Sequence, residues 1–260
     1  MTDQTKTTTM AYDLSQFTKT KYSALMDKLK KIIAREKPTT IVQIDALFPK
    51  LGAEIDATEP GLKKVYDTFM TKVYKKGMFS GAKSVQSVLG QEVKLPFNQP
   101  HKRALNAVEK MAFLNIKNIN DEVKGDLRRG LYEAIQNGEG IEGLKNRVEA
   151  SLKKKPKKVA KDVQPDARDT PEFRAEIIAR TELVRAYNQG NLENIKMAGI
   201  EKKQWVTGHD ERTCPICKPM DGQVRKVGEP FVGKLPNGKE VRVMAPPIHC
   251  QCRCVTIAKL

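Results

Sequence analysis

Along the first half of the chain, apolar residues recur every three or four positions. Tyr22, Leu25, Leu29, Ile32 and Ile33 fall on one side of a helix whose other side carries Lys28, Lys30, Lys31 and Arg35, and Pro38 stops it. Ile41, Ile44, Leu47 and Leu51 keep the helical spacing, with Pro49 an expected interruption. A third helix is predicted to open at Thr58, an N-cap ahead of Glu59 and Pro60. It carries Leu62, Val65, Phe69 and Val73 until Gly77 and Gly81 break or bend it. After the turn-forming stretch from Leu95 to Pro100, the residues Leu105, Val108, Met111 and Ala112 predict another helix. Asn120 is expected to cap the next one, which buries Val123, Leu127, Leu131 and Ile135 and stops at Gly138. Ile141, Leu144, Val148 and Leu152 extend the pattern.

The periodicity then breaks. Lys153-Lys154-Lys155-Pro156-Lys157-Lys158 has no apolar residue, like charges side by side and a helix breaker, the composition of a solvated linker that could also touch phosphates. Thr170-Pro171-Glu172 has the form N-cap, N1, N2 and opens a long helix through Ile177, Leu183, Tyr187, Leu192 and Ile195 that Gly199 ends. Beyond it the period shortens. Gln204–Thr207 reads as a strand, Met220–Val224 as a tight hairpin, Leu235–Val241 as a hairpin built on Asn237-Gly238, and Val255–Ile257 as a last strand. The expected class is α+β: a mainly helical N-terminal region, a long helix, and a small metal-stapled lobe of short hairpins. The expected division is 1–152 helical, 153–169 basic linker, 170–260 C-terminal domain.

Composition changes this picture in two ways. The formal charge is +16, and every third of the chain carries more Lys and Arg than Asp and Glu, which suits a protein working beside a polyanion or one kept soluble by a self-repelling surface. The first residues, MTDQTKTTTM, lack the apolar core of a secretory signal, and no apolar run approaches a membrane span, so cytoplasmic synthesis with reduced thiols and no membrane partner is expected.

Second, all five cysteines lie between Cys214 and Cys254. Cys214-Pro215-Ile216-Cys217 is a Cys-x-x-Cys knuckle that points two sulfurs into one space, as a tetrahedral Zn²⁺ requires. His249, Cys250, Cys252 and Cys254 supply six candidates in all for four places. Alternation on an extended strand would put the last three cysteines on one face. The preferred set is Cys214, Cys217, His249 and Cys252, with Cys254 the main substitute for either of the last two. Buried free thiols do not explain clustering beside a histidine, disulfides conflict with the reduced compartment, and a redox motif would open a helix in a βαβ unit. Strands this short build little core, so the metal is expected to contribute much of the lobe's folding free energy.

Two other motifs carry less. Gly228 to Lys234 begins like a phosphate loop, but Leu235 replaces the hydroxyl that would hold Mg²⁺ and Pro230 interrupts the turn. His209-Asp210-Glu211 offers a base beside two carboxylates with no paired nucleophile.

Taken in order, Ala179-Arg180-Thr181-Glu182, Ala186-Tyr187-Asn188-Gln189-Gly190, Trp205, Asp210-Glu211-Arg212-Thr213-Cys214-Pro215-Ile216-Cys217, Asp221-Gly222 and His249-Cys250-Gln251-Cys252-Arg253-Cys254 resemble the phage Mu protein F-like, or head-morphogenesis, family over roughly residues 130–260. The resemblance implies a minor capsid protein, not an enzyme, in the capsid interior after assembly in the host cytoplasm. Its implied partners are the portal protein, a scaffold or major capsid protein, and double-stranded DNA bound without sequence preference. It implies a polar motif of Arg180, Glu182, Asn188, Asp210 and Arg212; the charge run, and not the resemblance, offers Lys153, Lys154, Lys155, Lys157 and Lys158 as candidate DNA contacts. The family usually has Pro where this chain has Cys250, which adds a sulfur beside His249. With Leu260 directly after the module, no C-terminal effector domain is expected. The rival expectation is a nucleic-acid-processing enzyme using Arg180, Glu182, Asn188, His209 and Asp210.

Overall fold

A computed structural model describes residues 3–93, 96–153, 171–211 and 213–260. Its helices are α1 (Asp3–Glu36), α2 (Ile41–Asp56), α3 (Glu59–Leu89), α4 (Gln99–Gln136), α5 (Ile141–Lys153) and α6 (Pro171–Met197). The strands β1 (Lys202–Val206), β2 (Val224–Lys226), β3 (Phe231–Lys234), β4 (Glu240–Val243) and β5 (Val255–Lys259) follow, with a 3-10 turn at Lys218–Met220. The α+β class expected from the pattern is the one observed.

The helical positions are those the apolar spacing marks, but the punctuation differs. Pro49 does not interrupt α2, which runs through it because Ile44, Leu47, Leu51 and Ile55 are buried while Pro49 is exposed. The carbonyl that loses its partner there can turn to water. Thr40 and Gln43 form a capping box that opens this helix. Thr58 is not a side-chain N-cap: it has helical backbone angles, and its hydroxyl donates to the Ile55 carbonyl at 2.7 Å. Asn120 caps nothing. It lies fully buried inside one continuous α4, where it accepts from the Tyr22 hydroxyl at 2.8 Å and its amide nitrogen reaches the Ile55 carbonyl at 3.4 Å and the Thr58 hydroxyl at 3.3 Å. The N-cap of α4 is Asn98, and its stop is Gly138 at φ +66°.

Gly77 and Gly81 do not break α3 either. They are where α6 comes closest: a Cβ at Gly77 would run into the Tyr187 carbonyl, one at Gly81 would meet the Asn191 carbonyl at 2.7 Å, and one on Gly190 would strike the Tyr74 carbonyl. Absent side chains thus let two backbones touch. One apolar core joins Leu29 and Ile33 of α1, Met70 and Val73 of α3, Leu127 of α4, Val148 of α5 and Leu183 of α6. The expected linker falls outside the described residues, apart from the backbone of Lys153 at the end of α5.

Downstream of Gly199, at φ +70°, the chain forms an antiparallel sheet in the order β2-β1-β5 and a separate hairpin, β3-β4. The Asn237-Gly238 hairpin and the last strand are as expected, whereas Met220–Val224 is not a hairpin. Its residues form a 3-10 turn and a return to β1, with Gly222 N–H bonded to the Trp205 carbonyl at 2.9 Å. Asp221-Gly222 therefore closes a long β1–β2 connection. The Gly228–Lys234 segment becomes a turn and β3.

Candidate metal centre

Two loops bring the sulfurs together. The β1–β2 connection carries the knuckle, where the N–H groups of Cys217 and Lys218 both donate to the Cys214 carbonyl, at 3.1 and 3.0 Å, and hold both thiols on the inside of the turn. The β4–β5 connection carries the second half, bent by Gln251 at φ +58°, with the Cys252 N–H reaching back to the His249 carbonyl at 3.4 Å. This bend overturns the expected extended arrangement of Cys250, Cys252 and Cys254. Cys252 and Cys254 point into the lobe, and Cys250 joins no donor group among the described residues.

Two trios of donor atoms each lie within 4.8 Å of one another: Cys214, Cys217 and His249, then Cys217, Cys252 and Cys254. His249 Nε2 is 3.0 Å from the sulfurs of both Cys214 and Cys217, and Cys217 Sγ is 3.8 Å from Cys252 Sγ. At a metal–sulfur distance of about 2.3 Å, the sulfur–sulfur edge of a tetrahedral site is also about 3.8 Å. The tautomer fits as well, because His249 Nδ1 lies 2.6 Å from the Cys250 carbonyl and must donate to it. Nε2 is left with its lone pair facing the thiols, as a ligating imidazole requires. These residues could hold a metal ion.

The electrostatics agree with the donor geometry. Hydrogen bonds from Cys217 hold the Cys214 and Cys252 thiols well below their ordinary range, while Cys217, crowded by its neighbours' sulfurs, is pushed up. Burial would lower His249, but the contact with Cys214 and the charge on Cys252 outweigh it and raise the imidazole. Two of the four clustered sulfurs, Cys214 and Cys252, are thereby favoured as anions, while Cys254 is pushed up along with Cys217. Around it lies a small apolar shell: Trp205, edge-on to Phe231 at 5.3 Å between centroids, with Met220 and Ile248.

The family described as phage Mu protein F-like matches residues 125–257. The chain belongs to that family. The Mu F-like region thus runs from the middle of α4 through the lobe, within a few residues of the extent the motifs suggested, and membership points to a phage head protein. No curated protein and no solved structure matches the chain.

Inside the Mu F-like region, Glu182, Asn188 and Asp210 of the expected polar motif each engage partners of their own among the described residues. Glu182 is buried in the helical core, bonded by Asn115 at 3.3 Å and Arg185 at 3.0 Å, and burial raises its carboxyl. Asn188 works as a piece of strand: its amide donates to the Cys254 carbonyl at 3.0 Å and its oxygen accepts from the Thr256 N–H at 2.8 Å. Asp210 forms a two-pronged pair with Arg253 at 2.7 and 2.8 Å, and His209 pairs with Asp221 at 2.9 Å. Arg180 is half-buried on α6, and Arg212 and Lys154 to Lys158 lie outside the described residues.

Sequence reasoning missed several partners. Arg253 clamps the knuckle loop through Asp210, Asn191 adds a second amide to β5 by donating to the Thr256 carbonyl at 2.6 Å, and the Thr181 hydroxyl accepts from the Gln251 N–H at 3.1 Å. Only Asn191 left a signal, three residues after Asn188 and so on the same face of α6. α6 therefore positions the second cysteine loop by hydrogen bonds to its backbone.

Proposed function

We propose that the chain is a structural protein of the phage head whose C-terminal lobe is stapled by one zinc ion. Cys214, Cys217 and His249 would hold the ion, with Cys252 as the fourth ligand and Cys254 as its substitute. The observation that carries the reading is the fixed imidazole of His249, whose outward nitrogen is tied to a carbonyl while the inward one faces two thiols. Thiolate and imidazole donors favour zinc over the hard cations. The ion would supply a cross-link between the two loops and no open coordination position for chemistry.

In this reading the helical region docks to the portal protein and to a scaffold or major capsid protein. The protein assembles in the host cytoplasm and ends in the capsid interior beside double-stranded DNA. Family membership and the charge of +16 support it. Engagement of Glu182, Asn188, Asp210 and His209 with structural partners of their own among the described residues favours a scaffolding role over catalysis. Elemental analysis of freshly purified protein should find zinc at one ion per chain. A tagged chain should bring down the portal protein from phage-producing cells and be retained on DNA at low salt. Absence of tightly held metal rejects the staple. Specific cleavage of DNA or RNA that disappears in Glu182→Ala or His209→Ala would instead make the chain an enzyme.

A further inference from the structure

Within the evenly basic chain one stretch stands out. Residues 63–117, which cover most of α3 and half of α4, contain eleven Lys or Arg against three Asp or Glu, a surplus of eight, half of the net +16. Elsewhere in the helical region many cations are neutralised in place: Lys28 by Glu54, Lys50 by Glu36, Arg128 by Asp45, Lys145 by Glu142 and Arg147 by Glu133 and Glu139. On α3, by contrast, exposed Lys64, Lys72, Lys75 and Lys83 have no carboxylate partner among the described residues.

These four lysines form one stripe. With Thr68 and Phe79 they follow steps of three or four residues, an arc of about 100° at 3.6 residues per turn, and they span about 28 Å of helix axis. Gly77 and Gly81, pressed against the backbone of α6, lie on the opposite side of α3, so the stripe faces away from the core on an anchored helix. Three of the ammonium groups rest over aromatic rings: Lys72 over Phe69 at 5.9 Å, Lys75 over Phe97 at 5.7 Å and Lys83 over Phe79 at 4.7 Å. A ring orders a cation without cancelling its charge, which leaves the charge for an outside anion.

We infer that the outer face of α3, centred on Lys72, Lys75 and Lys83, is the surface that grips the phosphate backbone of double-stranded DNA. Duplex DNA offers a phosphate about every 1.7 Å, so a row of this length meets anions along its whole extent, and counterion release drives binding without base contacts. The inference rests on the proposed DNA contact but places it on α3, outside the Mu F-like region at residues 125–257.

The test uses the full metal-loaded chain and a short duplex of random sequence, with affinity measured as salt is raised. Lys72→Gln, Lys75→Gln and Lys83→Gln together should weaken binding at least about tenfold at low salt and lower the slope of log K against log salt by about 2 to 3. The matched removal of Lys28, Arg129 and Lys145 as glutamines should leave the slope nearly unchanged, and melting curves of both variants should overlay the parent. If the parent does not bind duplex at low salt, the DNA reading and this inference fall together. If the parent binds and the two triple variants lose affinity equally, or the α3 variant loses none, the surface is wrong while DNA contact stands. A loss confined to anionic vesicles, with DNA binding intact, also overturns it.

Discussion

Lys203 occupies the middle of the lobe with no exposure, where its ammonium group donates to the carbonyls of Val227 at 3.1 Å and Met244 at 2.7 Å and lies 5.0 Å from the centroid of Phe231. It ties β1 to the ends of β2 and β4. Burial pulls its pKa down to about 8 from 10.5. Between those two values the unfolded chain keeps a proton that the folded chain has released, so stability attributable to this lysine rises with pH across that window and falls back as pH drops through 8. Lys203→Met keeps the stem but strands two carbonyls, and should cost the lobe about 1–3 kcal/mol. Melting temperatures taken from neutral to alkaline pH should climb in the parent relative to the variant; parallel curves would show that the lysine is not perturbed. Nothing local marks Lys203 as buried, since one lysine among alternating positions resembles a solvent face. Asn120 misleads for the same reason. Short polar side chains favour caps by competing for nearby backbone, and its actual partner Tyr22 is 98 residues away.

The crossing of α3 and α6 shows how an element-level signal can be right in location and wrong in meaning. Gly77 and Gly81 mark a special point on α3, and so does Gly190 on α6, but the special feature is contact between backbones and not an end of helix. Helix propensity alone predicts that Gly→Ala stabilises by about 1 kcal/mol. At Gly125, where nothing lies within 4 Å of an added Cβ, that sign should hold. At Gly190 it should reverse, because the methyl group meets the Tyr74 carbonyl and the helices must separate, at a cost of about 2–3 kcal/mol or more. Urea denaturation followed by helical ellipticity distinguishes the two; stabilisation by Gly190→Ala would mean that the helices do not approach so closely. The strands divide along a similar line. The Asn237-Gly238 hairpin was readable because its partners are neighbours, whereas β2 pairs with β1 across the whole knuckle loop, and no local pattern reports that register. The pairing of β1 with β5 was equally invisible, although each strand could be found by itself.

At the scale of the molecule, the helical core and the lobe are sustained by different forces. The first has a continuous apolar interior drawn from all six helices, the second a handful of residues around Trp205, Phe231 and the cysteines. The clustering of every cysteine within a short span beside a histidine made the candidate metal site legible, because paired thiols at this spacing have few other uses; their exact geometry depended on a left-handed turn at Gln251 that alternation could not foresee. The two parts meet along α6 and α3, where Asn188 and Asn191 bind β5, Ser84 of α3 accepts from the Ala258 N–H at 2.7 Å, and Val85, Leu192 and Ile195 share a buried apolar cluster with Ile200, Val227 and Ala258 of the lobe. Those contacts lie at β5 and at the ends of β1 and β2, away from the two cysteine loops, and would keep the last strand seated while the loops loosen. If the ion contributes on the order of 10 kcal/mol to the lobe, removing it should unfold the loops and leave the helices standing. Trp205 is the only tryptophan in the chain and is fully buried in the lobe, so its fluorescence reports that part alone. Chelation should shift its emission to the red while helical ellipticity changes little, and added zinc should reverse the shift. A simultaneous collapse of both signals would mean that the helices depend on the lobe, and an unmoved tryptophan would mean that the thiols hold the loops together without a metal.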